Sequence, residues 1–140
     1  MVATVATSGP AQATLYVAGP MTGLPDFNRP AFDLAVRKLR GVGFGVLSPA
    51  ELPAPGPAPR WEDWMRAALR LLLDADAVAL LPGWQDSRGA SVERDLARTL
   101  DMPALPVPAW LTAAGQNDYR GRLLGPDYDL TVLDEVRGRQ

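Results

Sequence analysis

Residues 74–103 have the sequence DADAVALLPGWQDSRGASVERDLARTLDMP. The first part, ADAVALLP, is apolar nearly throughout, ends at Pro82 and Gly83, and is followed by a short polar loop. Such a run is typical of a strand in a parallel sheet that helices cover on both faces. Residues 87–100 are predicted to form the next helix, with Ser87 able to cap its first turn. The stretch therefore predicts one strand–loop–helix unit of an α/β fold.

The same alternation runs along the rest of the chain. TLYVA predicts a first strand that ends at Gly19 and Pro20, and a helix follows from near Asn28, an expected N-cap, with Pro30 in its first turn. The remaining elements are a strand in GFGVLSP, a helix at residues 60–73 and a fourth strand in MPALPVP that ends at Pro108. This order predicts a parallel sheet of about four to five strands, with right-handed crossovers and helices on both faces.

The composition limits the chemistry that the chain can perform. Its 140 residues suit one domain, predicted at residues 14–140 after a flexible N-terminal tail at residues 1–13. The net charge of −2 and the pI of about 5.0 argue against binding to nucleic acid or to an anionic membrane. Histidine and cysteine are absent, which argues against a metal site and leaves acid–base chemistry to carboxylates, Lys38, tyrosines or water. No apolar run approaches the roughly 20 residues of a membrane span, so a cytoplasmic protein is expected.

Two loops lie where ligands bind in such sheets, outside the carboxyl ends of the strands. They are GPMTG, after the first strand, and GWQDSRGAS, after the third. Neither contains a dinucleotide-binding or P-loop motif, and no cofactor is predicted. The second loop nevertheless suits an anion, because Ser87 offers a hydroxyl, Gly89 permits close approach of the backbone, and the following helix points N–H groups outward. Ser87 can act as a helix cap, as a ligand contact or as both.

Glu93 is the acid best placed to serve these loops. It comes six residues after Ser87, about one turn into the helix, and can therefore face the same crevice. Arg94 and Asp95 beside it suit the alternative, a solvent-exposed helix surface. Spacing alone leaves both interpretations open.

Two further features allow more than one interpretation. Trp61 and Trp64 lie at helical spacing, which favours contacts in the core or a dimer interface over a ligand site. Residues 49–59 contain five prolines, which favours a surface linker, with a lid over a pocket as the alternative.

Three segments, LYVAGPMTGLPDFNRPAF, LSPAEL and the stretch quoted above, resemble one known family. They are similar to the nucleoside 2-deoxyribosyltransferase-like superfamily and, within it, to a branch of small domains of unassigned role called DUF4406. The resemblance spans residues 14–107, and the combination of AGPMTG with GW-x-x-S-x-G-A-x-x-E is specific for the superfamily but not for one activity. It implies a Rossmann-like fold and the cleavage or exchange of an N-glycosidic bond in nucleosides or nucleotides.

The resemblance also implies roles for individual residues. Glu93 matches the nucleophilic glutamate of the family. Ser87 matches a position that is Asp in nucleoside transferases and Ser in relatives that hydrolyse nucleoside 5′-monophosphates, and a hydroxyl can donate to a phosphate that an Asp would repel. Ala68 departs from the pattern, since many relatives have an Asp there, eight residues ahead of position 76. The substrate- and phosphate-binding residues implied in this way are Tyr16, Gly19, Pro20, Met21, Ser87, Gly89 and Ala90.

The leading hypothesis is an N-glycosidase of a nucleoside 5′-monophosphate, or the related deoxyribosyltransferase. Glu93, ionised at neutral pH from its ordinary pKa of about 4.3, attacks C1′. Asp86 and Asp76 are candidates, by location alone, for the acid that protonates the base, although Asp76 can instead cap the corner between helix and strand. One alternative is a nucleotide-binding sensor that has lost turnover, as Ala68 suggests, and another is a purely structural interaction domain.

The expected ligand is a small nucleoside or nucleotide. Relatives are commonly homodimers or larger, and some complete each pocket with residues from a neighbouring subunit, so a homo-oligomer is expected. The segment NDYRGRLLGPDYD can supply such a residue, for instance Asn117 or Tyr128.

Overall fold

The computed structural model describes residues 13–113. Ala13, the last residue of the predicted flexible tail, is buried in the core and therefore belongs to the folded part of the chain. The rest of that tail, and the C-terminal segment with Asn117 and Tyr128, lie outside the described residues. Across residues 13–113, every helix is too short or too polar to cross a membrane.

Four parallel strands form one sheet in the order β2-β1-β3-β4. They are β1 (Thr14–Ala18), β2 (Gly45–Leu47), β3 (Ala77–Leu80) and β4 (Ala104–Pro106). The central strands β1 and β3 are apolar and almost completely buried, because helices cover them on both sides. Leu15 pairs with Ala77, and Ala18 with Leu80. The predicted parallel sheet is confirmed.

Helices cover both faces of this sheet, as predicted. They are α1 (Arg29–Gly41), α2 (Trp61–Leu72), α3 (Arg88–Thr99) and α4 (Val107–Ala113). On one face α1 and α4 bury their apolar sides, where Phe32, Leu39 and Trp110 have no exposed surface. On the other face α2 and α3 pack against the side chains of Tyr16 and Val78. The chain therefore has two apolar cores, one on each side of the sheet.

The helix α4 differs from the prediction, which ended a strand at Pro108. Pro108 is the second residue of α4, where the missing N–H of a proline costs little. Trp110 is fully buried, its indole N–H donates to the carbonyl of Val78 at 2.9 Å, and its ring meets Phe44 edge-on with centroids 5.8 Å apart. Tertiary packing of this tryptophan therefore holds α4 against the sheet.

The loop after β1 turns back on itself through a short 3-10 helix, Pro25–Asn28. Asp26, Phe27 and Asn28 all have left-handed backbone, with φ of 51°, 52° and 60°. Asn28 makes no side-chain cap to α1, contrary to the prediction; its amide donates to the carbonyl of Pro20 at 2.9 Å instead. This hydrogen bond joins the two ends of the loop and keeps it beside the carboxyl end of β1.

The chain reverses its direction across the sheet at β1. The connection through α1 leads outward to β2, whereas the connection through α2 returns across β1 to β3. The loops that leave the carboxyl ends of β1 and β3 therefore diverge to opposite faces and open a crevice between them. These are the loops GPMTG and GWQDSRGAS, so the fold brings the two predicted ligand loops together.

Candidate functional site

A cavity of about 180 Å³ opens at this crevice. Typical ligand pockets are roughly 300–1,000 Å³, so this one suits a small ligand or the buried end of a larger one. Four segments form its walls: the loop after β1 with the first residue of α1 (Gly19, Met21, Thr22, Phe27, Arg29), the segment after β2 (Pro49, Leu52), α2 (Trp61, Trp64, Met65, Ala68) and α3 with its cap (Ser87, Gly89, Ala90, Glu93). Most of this lining is apolar or aromatic, and among residues 13–113 Glu93 is the only carboxylate in it.

Glu93 is the buried polar group of the cavity. It lies in the second turn of α3 with 5% of its surface exposed. The hydroxyl of Tyr16, fully buried in the middle of β1, donates a hydrogen bond to Oε2 of Glu93. Within residues 13–113 no side chain donates to the other oxygen, Oε1, and no fully buried side-chain oxygen lacks a partner. We conclude that Oε1 reaches the cavity that Glu93 lines.

Burial changes the acidity of both members of this pair. Loss of hydration raises the pKa of Glu93 from 4.5 to about 7, and the hydrogen bond from Tyr16 limits the rise because it favours the carboxylate. Burial first, and then the charge and the hydrogen bond of Glu93, raise the pKa of Tyr16 well above its ordinary 10.0, so Tyr16 stays a donor. The expectation that Glu93 keeps its ordinary pKa is therefore wrong, because burial raises that pKa to about 7.

Ser87 caps α3, which is one of its two predicted roles. Its Oγ accepts a hydrogen bond from the N–H of Ala90 at 3.2 Å. Since Oγ is the acceptor in this cap, its hydrogen can still be donated into the cavity that Ser87 lines. At Gly89, a Cβ would lie 3.1 Å from Sδ of Met65, so glycine at this position lets α2 and α3 approach each other closely.

The backbone of the loop after β1 is fixed by packing. A Cβ on Gly19 would lie 2.7 Å from Cβ of Leu81, so glycine permits the ends of β1 and β3 to lie side by side. Gly19 and Met21 line the cavity as predicted, but Pro20 does not. The carbonyl of Pro20 accepts the hydrogen bond from Asn28, so Pro20 shapes the loop from outside the cavity wall.

The two tryptophans of α2 face the cavity. Trp61 and Trp64 are half-buried and line it, so they do not lie in the fully buried core, and a dimer contact stays a prediction. The guanidinium of Arg88 lies over the ring of Trp61, 3.9 Å from the ring centroid. Helical spacing shows that the tryptophans share a face of α2, but not what that face borders. Phe27 and Arg29 were also missed, because the bend of the loop, and no sequence pattern, places them at the cavity.

The proline-rich segment after β2 also contributes to this site. Pro49 and Leu52, at its start, line the cavity, whereas residues 53–58 are mostly exposed, as expected of a surface linker. The short 3-10 helix Pro49–Glu51 is capped by the hydroxyl of Ser48, which accepts from the N–H of Ala50 at 3.2 Å. This cap holds the start of the segment beside the end of β2.

The two other predicted acids do not line the cavity. Asp76 precedes β3, and its Oδ2 accepts a hydrogen bond from the N–H of Thr14 at 2.8 Å, at the amino edge of the sheet. The cavity opens at the opposite, carboxyl edge, so the structure corrects the catalytic prediction for Asp76, which closes a corner instead. Asp86 is exposed at the end of the short 3-10 helix Trp84–Asp86. Ala68 is buried on the cavity wall, so the departure from the family pattern lies within the site.

Potential metal ligands are scattered in the described part of the chain. Among residues 13–113, no group of three or more Asp and Glu side chains is arranged to hold a metal ion.

Comparisons with known proteins bear on the fold. The model of the family described as "Domain of unknown function (DUF4406)" matches residues 13–105. A 2-deoxyribosyltransferase from the psychrotolerant bacterium Bacillus psychrosaccharolyticus has a similar structure, with a TM-score of 0.54 and 23% sequence identity over 67% of this chain and 71% of that chain. A conserved protein from Enterococcus faecalis V583 is similar with a TM-score of 0.55 and 17% identity over 93% of this chain and 100% of that chain. No curated protein matches the sequence significantly. The structural likenesses confirm the Rossmann-like fold.

Proposed function

The chain belongs to the DUF4406 family, and from the geometry of its cavity we propose that it cleaves the N-glycosidic bond of a nucleoside 5′-monophosphate, or transfers the sugar to another base. The observation that carries this proposal is Glu93, a carboxyl group buried in the wall of an aromatic cavity and held by the hydroxyl of Tyr16. The fold shared with a 2-deoxyribosyltransferase supports the same class of reaction.

Glu93 suits the role of nucleophile because its two oxygens have different surroundings. Tyr16 holds Oε2, which leaves Oε1 to attack C1′ of the sugar. As the new C–O ester bond forms, the bond from C1′ to the base nitrogen breaks and its electron pair leaves with the base, which takes a proton from water. Water then opens the ester in hydrolysis, or a second base does so in transfer. Either route regenerates the Glu93 carboxylate.

The other walls suit the remaining parts of a nucleotide. Trp64 offers an aromatic face against which a base can stack. Ser87, Gly89 and Ala90 at the N-terminus of α3 offer a hydroxyl and backbone N–H groups to a phosphate. This arrangement supports a phosphorylated nucleoside as the ligand.

The raised pKa of Glu93 predicts the pH dependence of the reaction. Only the ionised carboxylate attacks C1′, so the rate of base release should rise with pH through about 7. Initial rates measured across this range check the prediction. A rate that falls with rising pH would instead assign Glu93 the role of a proton donor.

Chromatography of a mixed nucleotide pool after incubation with the protein tests the proposal. Wild type should release free base, and Glu93→Gln should release none while its binding, followed by thermal shift, is retained. Asp95→Asn, an exposed change on the same helix, is the matched control and should keep the activity. The proposal is contradicted if no base appears at saturating nucleotide, or if Glu93→Gln is as active as wild type.

A second function, nucleotide binding without turnover, is favoured by one specific observation. Glycosidases generally use two carboxyl groups, and among the described residues the cavity has Glu93 alone, with Ala68 where many relatives have an acid. If the protein binds nucleotides without turnover, nucleotides should raise the melting temperature of the wild type and should be recovered unchanged. Base release by Ala68→Asp, but not by wild type, would show that the pocket is retained and the second acid is what is missing.

Assembly of the chain stays a prediction, as does its cytoplasmic location. The resemblance implies a homodimer or a larger homo-oligomer. Size-exclusion chromatography with light scattering measures the mass in solution, and a monomer at all concentrations would contradict the expectation.

A further inference from the structure

Two exposed arginines border the cavity on its solvent side, here called its mouth, and the reaction scheme does not use them. Arg29 is the first residue of α1 and lines the cavity. Arg88 is the first residue of α3, and its guanidinium covers the ring of Trp61, a cavity residue, at 3.9 Å from the ring centroid. The helices α1 and α3 cover opposite faces of the sheet, so the two arginines approach the crevice from opposite sides.

These charges lie where the helix dipoles disfavour them. The first turn of a helix carries partial positive charge, so an acid there is stabilising and an arginine is not. Neither Arg29 nor Arg88 forms an ion pair within residues 13–113, although Asp26 and Asp86 lie close to them in sequence. Two cations that form no ion pair within residues 13–113, each beside a helix N-terminus, favour an anionic group at the cavity mouth.

The interior of the cavity has the opposite character. Glu93, 5% exposed, lines the cavity, and its carboxylate would repel an anionic group placed beside it. A ligand with one anionic end is therefore oriented with that end at the mouth. The guanidinium fork fits two oxygens of a phosphoryl group, and stacking on Trp61 restricts the movement of the Arg88 side chain before any ligand arrives.

We propose that Arg29 and Arg88 form a rim that binds the terminal phosphoryl group of the ligand, and that Arg88, positioned by Trp61, determines the preference for a phosphomonoester over the free nucleoside. The inference rests on the proposed function, because the sugar then lies between this rim and Glu93. It adds two recognition residues, outside the serine and backbone groups of α3, to the same site.

Calorimetric titration with the four 2′-deoxynucleoside 5′-monophosphates and the four matching nucleosides tests this rim. Arg88→Gln and Arg29→Gln should each weaken monophosphate binding about tenfold or more, because each removes a charge-assisted contact, and should weaken nucleoside binding far less. Arg98→Gln, in the last turn of α3 and exposed, is the matched control and should bind both ligands like wild type. Equal losses for both ligands, or no loss for either, would overturn the proposal.

Charge reversal separates recognition from folding. A glutamate in the first turn interacts favourably with the helix dipole. The melting temperature of Arg88→Glu without ligand should therefore equal or exceed that of wild type. It should nevertheless bind monophosphates more weakly than Arg88→Gln. Unchanged monophosphate binding by Arg88→Glu would contradict a direct contact.

The role of Trp61 is tested by comparing two replacements. Trp61→Phe keeps an aromatic face for Arg88 and should retain the preference for monophosphates over nucleosides. Trp61→Ala removes that face and should reduce the preference, beyond any loss common to both ligands. Equal preference in Trp61→Ala and wild type would exclude Trp61 as the positioning residue.

The outcome for the rim is separate from the outcome for the reaction. If wild type releases no base but prefers monophosphates, and Arg88→Gln loses that preference, the rim is supported and the glycosidase proposal is contradicted. If wild type binds nucleosides and monophosphates equally, or binds neither, the rim proposal is wrong whatever the result for base release.

Discussion

Replacement of Glu93 by glutamine measures how strongly the cavity opposes a charge on this carboxyl group. The pKa of Glu93 in the folded chain is about 7, against an ordinary 4.5 that applies to the unfolded chain. Because the folded-state pKa is the higher one, the folded chain binds the proton more tightly. The stabilisation by this proton is fully present below pH 4.5 and is lost as the pH rises through about 7. The difference between these two pKa values corresponds to about 3 kcal/mol in the free energy of unfolding, since each pKa unit is worth roughly 1.4 kcal/mol.

Glutamine has nearly the same shape as glutamate, carries no charge and still accepts the hydrogen bond from Tyr16. The stability of Glu93→Gln relative to wild type should therefore increase by about 3 kcal/mol between pH 4.5 and about pH 8. Urea denaturation at a series of pH values gives the two free energies of unfolding. Asp95→Asn, exposed on the same helix, controls for the loss of a surface charge and should not reproduce this increase. A stability difference between Glu93→Gln and wild type that does not change with pH would refute the reasoning, because it would mean that the carboxyl group stays hydrated.

Three other substitutions test separate contacts. Tyr16→Phe removes the hydrogen bond that lowers the pKa of Glu93, so NMR titration of the Glu93 carboxyl should give a higher pKa, and an unchanged pKa would exclude the contact. Gly19→Ala places a Cβ 2.7 Å from Cβ of Leu81 and should destabilise the fold by about 1–3 kcal/mol, measured by urea denaturation. Ser87→Ala removes the cap of α3 and should cost about 1 kcal/mol in the same assay, whereas Ser87→Asn should retain most of the stability.

The elements that could be predicted are those with local patterns. Apolar periodicity and the residues that end helices act within a few positions, so four strands and three helices follow from the sequence. The helix Val107–Ala113 lacks such a signal, because it depends on the burial of Trp110 against Val78. Asn28 is a suitable residue for a cap, but its left-handed backbone and its bond to Pro20 exclude that role. In both places tertiary contacts override the local preference.

In the candidate site, too, local sequence patterns predict some residues, and tertiary contacts determine the others. Ser87 and Glu93 could be found because they belong to one helix whose N-terminus lies at the carboxyl edge of the sheet. Asp76 was misplaced because closeness to β3 in sequence does not bring a residue to the correct end of the strand. Helical spacing favours a core or dimer contact for Trp61 because it identifies a shared helix face and not what that face borders. The pKa of Glu93 depends on burial by several elements, and no local pattern contains it.

The buried carboxyl group of Glu93 also favours a ligand site over a purely structural domain. Within residues 13–113 its one hydrogen-bond donor is the neutral hydroxyl of Tyr16, so its ionisation is opposed by desolvation that no cation offsets. A chain selected for packing alone would gain stability from an uncharged residue at this position. Perturbed acids in clefts are typical of binding and catalytic sites, where stability is given up for reactivity. If Glu93→Gln proves more stable than wild type at neutral pH and also inactive, then the charge of Glu93 lowers the stability of the fold and is needed for activity. A structural role for this charge would then be excluded.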